Sequence, residues 1–138
     1  MGKSILIIDD DRSSRNTLKE IFEYLNYKVY SACNGKEGVE SYRRMTTDIV
    51  ITDIYMPVKD GLETICAIKK EFPEAKIIAM SDIDYKGNTD FFQVARYLGA
   101  IDCLVKPFEP DDIIRIVNLT VDGNTADNLY QVGAAAAI

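Results

Sequence analysis

Short apolar runs alternate along this chain with longer stretches of helical period. Ile5-Leu6-Ile7-Ile8, Ile49-Val50-Ile51, Ile77-Ile78-Ala79-Met80 and Cys103-Leu104-Val105 are continuous and largely aliphatic, as in parallel strands covered on both faces. They are expected at or near the centre of a sheet. Lys28-Val29-Tyr30-Ser31-Ala32 mixes polar and apolar positions and reads as an edge strand. Between the runs, Leu18, Ile21, Phe22 and Leu25 keep the i, i+3, i+4, i+7 spacing of an amphipathic helix, capped by Asp11 or Ser13. Val39 and Tyr42 mark a short second helix after the Asn34-Gly35 turn. Leu62, Ile65, Cys66, Ile68 and Phe72 mark a third that stops before Pro73. Phe91, Val94, Ala95 and Leu98 stripe a fourth, closed by Gly99. The fifth starts near Pro110, whose missing N–H is harmless in a first turn, and runs through Ile113, Ile116 and Val117.

Five strands alternating with five helices, joined by short right-handed crossovers, predict an α/β fold. Its form is a doubly wound, five-stranded parallel sheet in the flavodoxin-like order 2-1-3-4-5. Ligands of such sheets sit beyond the carboxyl ends of the strands. Residues 1–121 form the expected domain. From Asp122 to Ile138 the text turns to Asp-Gly-Asn-Thr-Ala-Asp-Asn and ends in four alanines and Ile138. It reads as a tail, linker, truncation or cloning remnant.

Composition narrows the function. The chain has 138 residues, 47% of them hydrophobic, enough to build a core without disulfides or a structural metal. Sixteen basic residues face 22 acidic ones, a net charge of -6. That balance argues against direct nucleic-acid binding and suits divalent cations or basic partners. With no histidine, Ser-His and Cys-His catalysis are excluded, and so is a phosphohistidine on this chain. Cys33, Cys66 and Cys103 show no paired short spacing and read as reduced core residues of a cytoplasmic protein. Leu6 stands where a myristoylation signal needs Ser or Thr, and Ile5 to Ile8 is too short for a membrane span. Asn118-Leu119-Thr120 matches a glycosylation acceptor that such a compartment would not use.

The strand ends carry the chemistry. Strand one ends in Asp9-Asp10-Asp11, strand three in Asp53, strand four in Ser81-Asp82 and strand five in Lys106-Pro107. Each residue alone suits an ordinary cap or turn. Together the predicted topology sends them to one crevice. Two carboxylates roughly 5 Å apart repel by about 3 kcal/mol at an effective dielectric near 20, so one keeps its proton or a cation joins them. Hard oxygen donors favour Mg²⁺, held by Asp10 and Asp53, with Asp9 orienting its water and the Tyr55 backbone carbonyl completing the set. A cation, an ammonium and a hydroxyl around a carboxylate suit phosphoryl transfer onto Asp53. Lys106 would pair with carboxylate before transfer and with phosphate after it, and Ser81 would donate to a phosphate oxygen.

ILIIDDD at the first strand, IVITDIYMPVKDG around Asp53, Ser81 after IIAM, and LVKPF around Lys106 resemble the receiver domain of bacterial two-component response regulators, over residues 3 to 120. The resemblance implies Asp53 as phosphoacceptor and Asp9 and Asp10 as the acidic pair for Mg²⁺. It also implies Ser81 as switch hydroxyl, Lys106 as the family's lysine, and a cis Lys106-Pro107 bond. The implied donor is a sensor histidine kinase or a histidine phosphotransfer protein. Output then passes to a downstream effector protein or to an effector domain missing from the C-terminus. The chain is read as a regulatory domain, not an enzyme, with no membrane partner. Ile114 and Val121 lie off the fifth helix's stripe and suggest a homodimer face built from helix four, strand five and helix five.

The sequence departs from the family pattern in places. Cys103 stands three before the lysine, where the family usually carries an aromatic that rotates on activation. The connection after Ser81 is long. Tyr55 and Ile83, two past Asp53 and Ser81, lack the carboxylate or amide that would orient attacking water, so self-dephosphorylation is expected to be slow. Competing readings fit less well. A haloacid-dehalogenase-like phosphatase wants an acid where Tyr55 stands, and a flavodoxin-like flavin binder wants hydroxyls and N–H groups where three carboxylates stand. A receiver-shaped module that is never phosphorylated would not need the full set of acids, hydroxyl and lysine.

Overall fold

The computed structural model describes residues 2–56, 58–82 and 90–123. Five strands, β1 (Ser4–Ile8), β2 (Lys28–Ala32), β3 (Ile49–Asp53), β4 (Ile77–Asp82) and β5 (Asp102–Lys106), alternate with five helices, α1 (Arg12–Tyr24), α2 (Gly35–Arg44), α3 (Gly61–Glu71), α4 (Asp90–Leu98) and α5 (Pro110–Val121). The strands form one parallel sheet in the order β2-β1-β3-β4-β5, as expected.

Period-two alternation splits the sheet's side chains between two apolar layers. Leu6, Ile8, Val50, Ile77, Ala79, Cys103 and Val105 pack with Val39 and Tyr42 of α2, Ile65 and Ile68 of α3, and Phe91, Phe92 and Ala95 of α4. Ile5, Ile7, Ile49, Ile51, Ile78, Met80 and Leu104 pack with Leu18 and Phe22 of α1 and Ile113, Ile116 and Val117 of α5. Burial on both faces is why the strand runs read as unbroken apolar stretches.

Several expectations need correction. β5, whose apolar run reads as at or near the centre, is an edge strand, as the order 2-1-3-4-5 itself requires. Its two faces are nonetheless covered, and only Lys106 at its end is partly exposed. Of the three cysteines, Cys103 alone lies in the core; Cys66 is exposed on α3 and Cys33 is half-buried just past the end of β2. On α4, Phe92 takes the place expected of Val94. The helix presents the arc around Phe91, Phe92 and Ala95 to the sheet, and Val94 faces solvent. Ile114 and Val121 are partly buried, each packed in part against the layer under α1 and α5. The long connection at 83–89, including Ile83, and the tail from 124 onward lie outside the described residues.

Side-chain caps fix where the helices begin. Asp11 accepts from the backbone N–H of Ser14 at 3.0 Å and from its hydroxyl at 2.9 Å, starting α1. Asn34 accepts from Glu37 N–H at 2.9 Å, so the Asn34-Gly35 turn is the cap of α2. Asp60 and Glu63 form a reciprocal capping box at α3. Behind that cap, Gly61 donates its N–H to the Ile54 carbonyl at 2.7 Å. A Cβ at Gly61 would collide with the Asp53 carbonyl oxygen and come within 2.6 Å of the Ile54 Cα.

Gly61→Ala is therefore expected to cost at least about 2 kcal/mol, because rigid backbone must move. Chemical denaturation of the variant beside the parent chain measures it; a loss within error would mean that α3 can lift off β3 freely.

Candidate functional site

Three strands aim alike at their carboxyl ends. Asp9 follows Ile7 by two, Asp53 follows Ile51 by two, and Lys106 follows Leu104 by two, and all three apolar residues belong to the layer under α1 and α5. The alternation therefore turns Asp9, Asp53 and Lys106 to the same side. Lys106 Nζ donates to Asp9 Oδ2 at 3.3 Å and lies 3.5 Å from Asp53 Oδ2, bridging the two acids. Carboxylate oxygens of Asp9, Asp10 and Asp53 all lie within 4.8 Å of one another. Asp9 is fully buried, Asp53 is 9% exposed, and Asp10 is open to solvent.

Backbone groups hold these acids in place. The Asp11 N–H donates to Asp9 Oδ1 at 2.9 Å, and the Ile54 N–H to Asp53 Oδ1 at 3.0 Å. Arg15, on the first turns of α1, donates from Nη1 to the Asp9 carbonyl at 2.7 Å, and Thr52 donates its hydroxyl to the Asp53 carbonyl at 3.0 Å. Sequence reading singled out neither Arg15 nor Thr52, since both act on main-chain oxygens and follow no motif. Asp11 stands apart from the cluster because its carboxylate is committed to the α1 cap.

Ser81 and Tyr55 sit differently. Ser81 is two past Ala79 and so shares the parity of the opposite layer; it lies one residue past Met80, the partner of Asp53 in the β3–β4 register. Its Oγ is buried and has no hydrogen-bond partner among the described residues. A buried hydroxyl left unsatisfied costs roughly 1–3 kcal/mol, so a ligand oxygen there would gain a ready donor. Tyr55 turns its ring outward onto Phe91 of α4. Val58, in the same loop, holds φ at +73°, a left-handed conformation that is strained for a β-branched residue. The Lys106-Pro107 peptide is cis. Beside Lys106, a cleft of about 340 Å³ opens between α1 and the segment leading into α5, lined in part by Ser14, Leu18, Met80, Pro107 and Phe108.

Charge and burial oppose each other at this centre. Burial pushes the Asp53 carboxyl up; the Lys106 ammonium pulls it down, the Asp9 carboxylate pushes it up again, and the result is about 7. Burial works against the Lys106 charge, but Asp53 and Asp9 outweigh it and hold the ammonium above its ordinary range. With Asp53 ionised, three carboxylates against one ammonium leave two negative charges, and the donors are all hard oxygens. The set therefore fits a divalent cation such as Mg²⁺ better than a soft metal.

Comparison with known proteins points the same way. The family model for the response regulator receiver domain matches residues 5–118. Chemotaxis protein CheY of Thermotoga maritima is 40% identical over 119 residues, covering 86% of this chain and 97% of its own length. Sporulation initiation phosphotransferase F of Bacillus subtilis is 31% identical over 113 residues, 82% of this chain and 89% of its own length. Among solved structures, a response regulator receiver domain protein from Clostridium thermocellum has a TM-score of 0.81 at 27% identity, covering 88% of this chain and 95% of that one.

The Asp53 shift sets a pH dependence of stability for the metal-free chain. The folded value of about 7 lies above the ordinary 3.8, so the fold binds this proton more tightly than the unfolded chain does. The associated stability is full below about pH 4 and drains away as pH rises through about 7. Asp53→Asn should therefore exceed the parent by about 2 kcal/mol at mildly alkaline pH, half of the full shift's worth. That advantage should vanish at about pH 4. Thermal melts in chelator across this range check it; an advantage constant with pH would count against the ionised Asp53 as its source.

Proposed function

The chain belongs to the response regulator receiver domain family, a family of regulatory phosphoacceptors in two-component signalling, and from that premise we propose that Asp53 accepts the phosphoryl group. The observation that carries this reading is the bridging ammonium of Lys106, 3.3 Å from Asp9 and 3.5 Å from Asp53. Such a cation favours the ionised Asp53 that attack requires and lies beside the place where phosphoryl oxygens would gather.

Asp53 Oδ attacks phosphorus, the phosphorus–nitrogen bond of a donor phosphohistidine breaks, and the donor imidazole leaves. The donor is a sensor histidine kinase or a histidine phosphotransfer protein, since this chain contains no histidine. Asp9, Asp10, Asp53 and the Tyr55 carbonyl are the proposed ligands of Mg²⁺, which when bound offsets charge on the transferring group. Lys106 then exchanges its Asp53 contact for a phosphoryl oxygen. Ser81 swings its hydroxyl, which has no hydrogen-bond partner among the described residues, toward a second one, which draws the end of β4 inward. The output surface is the α4-β5-α5 face, where Val94, Tyr97 and Ile101 stand exposed. It meets a downstream effector protein or an effector domain beyond the C-terminal tail, which is assigned to residues 122–138, with the receiver itself ending at 121. Among the described residues no helix is long and apolar enough to cross a membrane, and a cytoplasmic setting is part of this proposal. The module turns over no substrate; it assists its own phosphorylation and loses the group slowly.

Incubation with acetyl phosphate and Mg²⁺ should add one phosphoryl mass to the parent chain and none to Asp53→Asn or to the parent in chelator, as read by intact mass. Modification of Asp53→Asn to the same extent would move the acceptor elsewhere. Because Tyr55 offers no carboxylate or amide to orient water, the modified form should persist for minutes after donor removal. Tyr55→Asn should shorten that lifetime at least about tenfold. A parent half-life of seconds sinks this part of the reading.

A further inference from the structure

Three rings run in series from the loop behind Asp53 to the start of α4. Tyr55 meets Phe91 edge-on, with centroids 5.4 Å apart and planes at 69°. Phe91 meets Phe92 at 4.6 Å and 62°. The Phe92 carbonyl in turn accepts from the Cys103 thiol at 3.8 Å. Tyr55 is 63% exposed while Phe91 and Phe92 are buried, so the tyrosine ring lies over a core aromatic without belonging to the core. Burial gives so exposed a ring little reason to be ordered; its specific partner is the edge-to-face contact.

The far end of α4 is tied independently. Arg96 Nη2 lies 3.3 Å from the buried Asp102 carboxylate at the start of β5. Beside its core packing through Phe92 and Ala95, α4 is thus tied to the sheet near one end and to the loop that carries Asp53 at the other. Cys103, buried beneath the helix, meets α4 through its thiol on the Phe92 carbonyl and has no ring to rotate between layers.

We infer that Tyr55 is a positioning residue that clasps the N-terminal end of α4 through Phe91 and makes the placement of this helix depend on the state of Asp53. The inference rests on the phosphoacceptor reading above. Tyr55 is two residues from Asp53, so a displacement of that loop on phosphorylation shifts the ring against Phe91. α4 then pivots about its Arg96–Asp102 tie. Coupling runs from β3 to α4 by contact between side chains and does not pass through β5.

Amide hydrogen exchange across residues 90–98 of the full chain tests this, first without phosphodonor. Tyr55→Ala should speed exchange in α4 about fivefold to tenfold, the worth of one ring pair, with β1 amides unchanged as the internal reference. Tyr55→Phe should keep the parent rate, because the contact uses the ring and not the hydroxyl. After acetyl phosphate and Mg²⁺, exchange in α4 should change in the parent but hardly further in Tyr55→Ala carrying the same phosphoryl mass. Parent-like α4 rates in Tyr55→Ala, or a Tyr55→Phe variant as loose as Tyr55→Ala, overturn the inference. Phosphoryl mass is read on the same samples, so failure of Asp53 as acceptor is visible separately from failure of the clasp.

Discussion

Everything at the working end of this molecule depends on one crowded electrostatic arrangement: two buried carboxylates, Asp9 and Asp53, bridged by a single ammonium from Lys106. Left to themselves the acids would separate or take up a proton. They cannot separate, because each caps a strand buried on both faces, and interiors packed at crystal-like density do not yield by ångströms. The charge is instead managed locally, by Lys106 and by backbone N–H groups from Asp11 and Ile54. The apolar sheet and the polar site are thus one design, in which packing supplies the rigidity that keeps like charges close.

Helix α3 completes that rigidity from the side. Gly61 lies so near the Asp53 carbonyl that no larger residue fits, and its N–H is spent on Ile54. On the other flank Arg15 fixes the Asp9 carbonyl from α1. The acids are therefore clamped at the main chain from both layers, while their carboxylates converge on Lys106 and the exposed Asp10. α4 is the exception to this tight framework. It packs through Phe91, Phe92 and Ala95 at the sheet's edge, and its exposed face carries Val94 and Tyr97.

Much of this was legible in the text of the chain. Unbroken aliphatic runs between amphipathic stretches carry the strand order, and the order carries the meeting of Asp9, Asp10, Asp53 and Lys106, because a parallel sheet gathers every strand's carboxyl end on one rim. What was not legible turns on angle, not on type. Val94 and Phe92 are both apolar, and only the edge placement of α4 decides which one faces the sheet. Ile114 and Val121 fall off the ideal stripe, yet both pack partly buried against the core layer under α1 and α5. Asp11 looks like a third member of the acidic cluster until its carboxylate is seen capping α1. The Tyr55–Phe91 contact joins residues 36 positions apart and follows no period. Arg15 and Thr52 escape notice because main-chain oxygens, which every residue has, are their targets.

Val58 adds a last consequence. An exposed, β-branched side chain held at a left-handed backbone angle keeps the loop between β3 and α3 above its relaxed energy by roughly 1–3 kcal/mol. The strand end on one side and the Asp60–Glu63 cap on the other hold it there, so the fold gives up part of its stability to fix this turn beside Asp53.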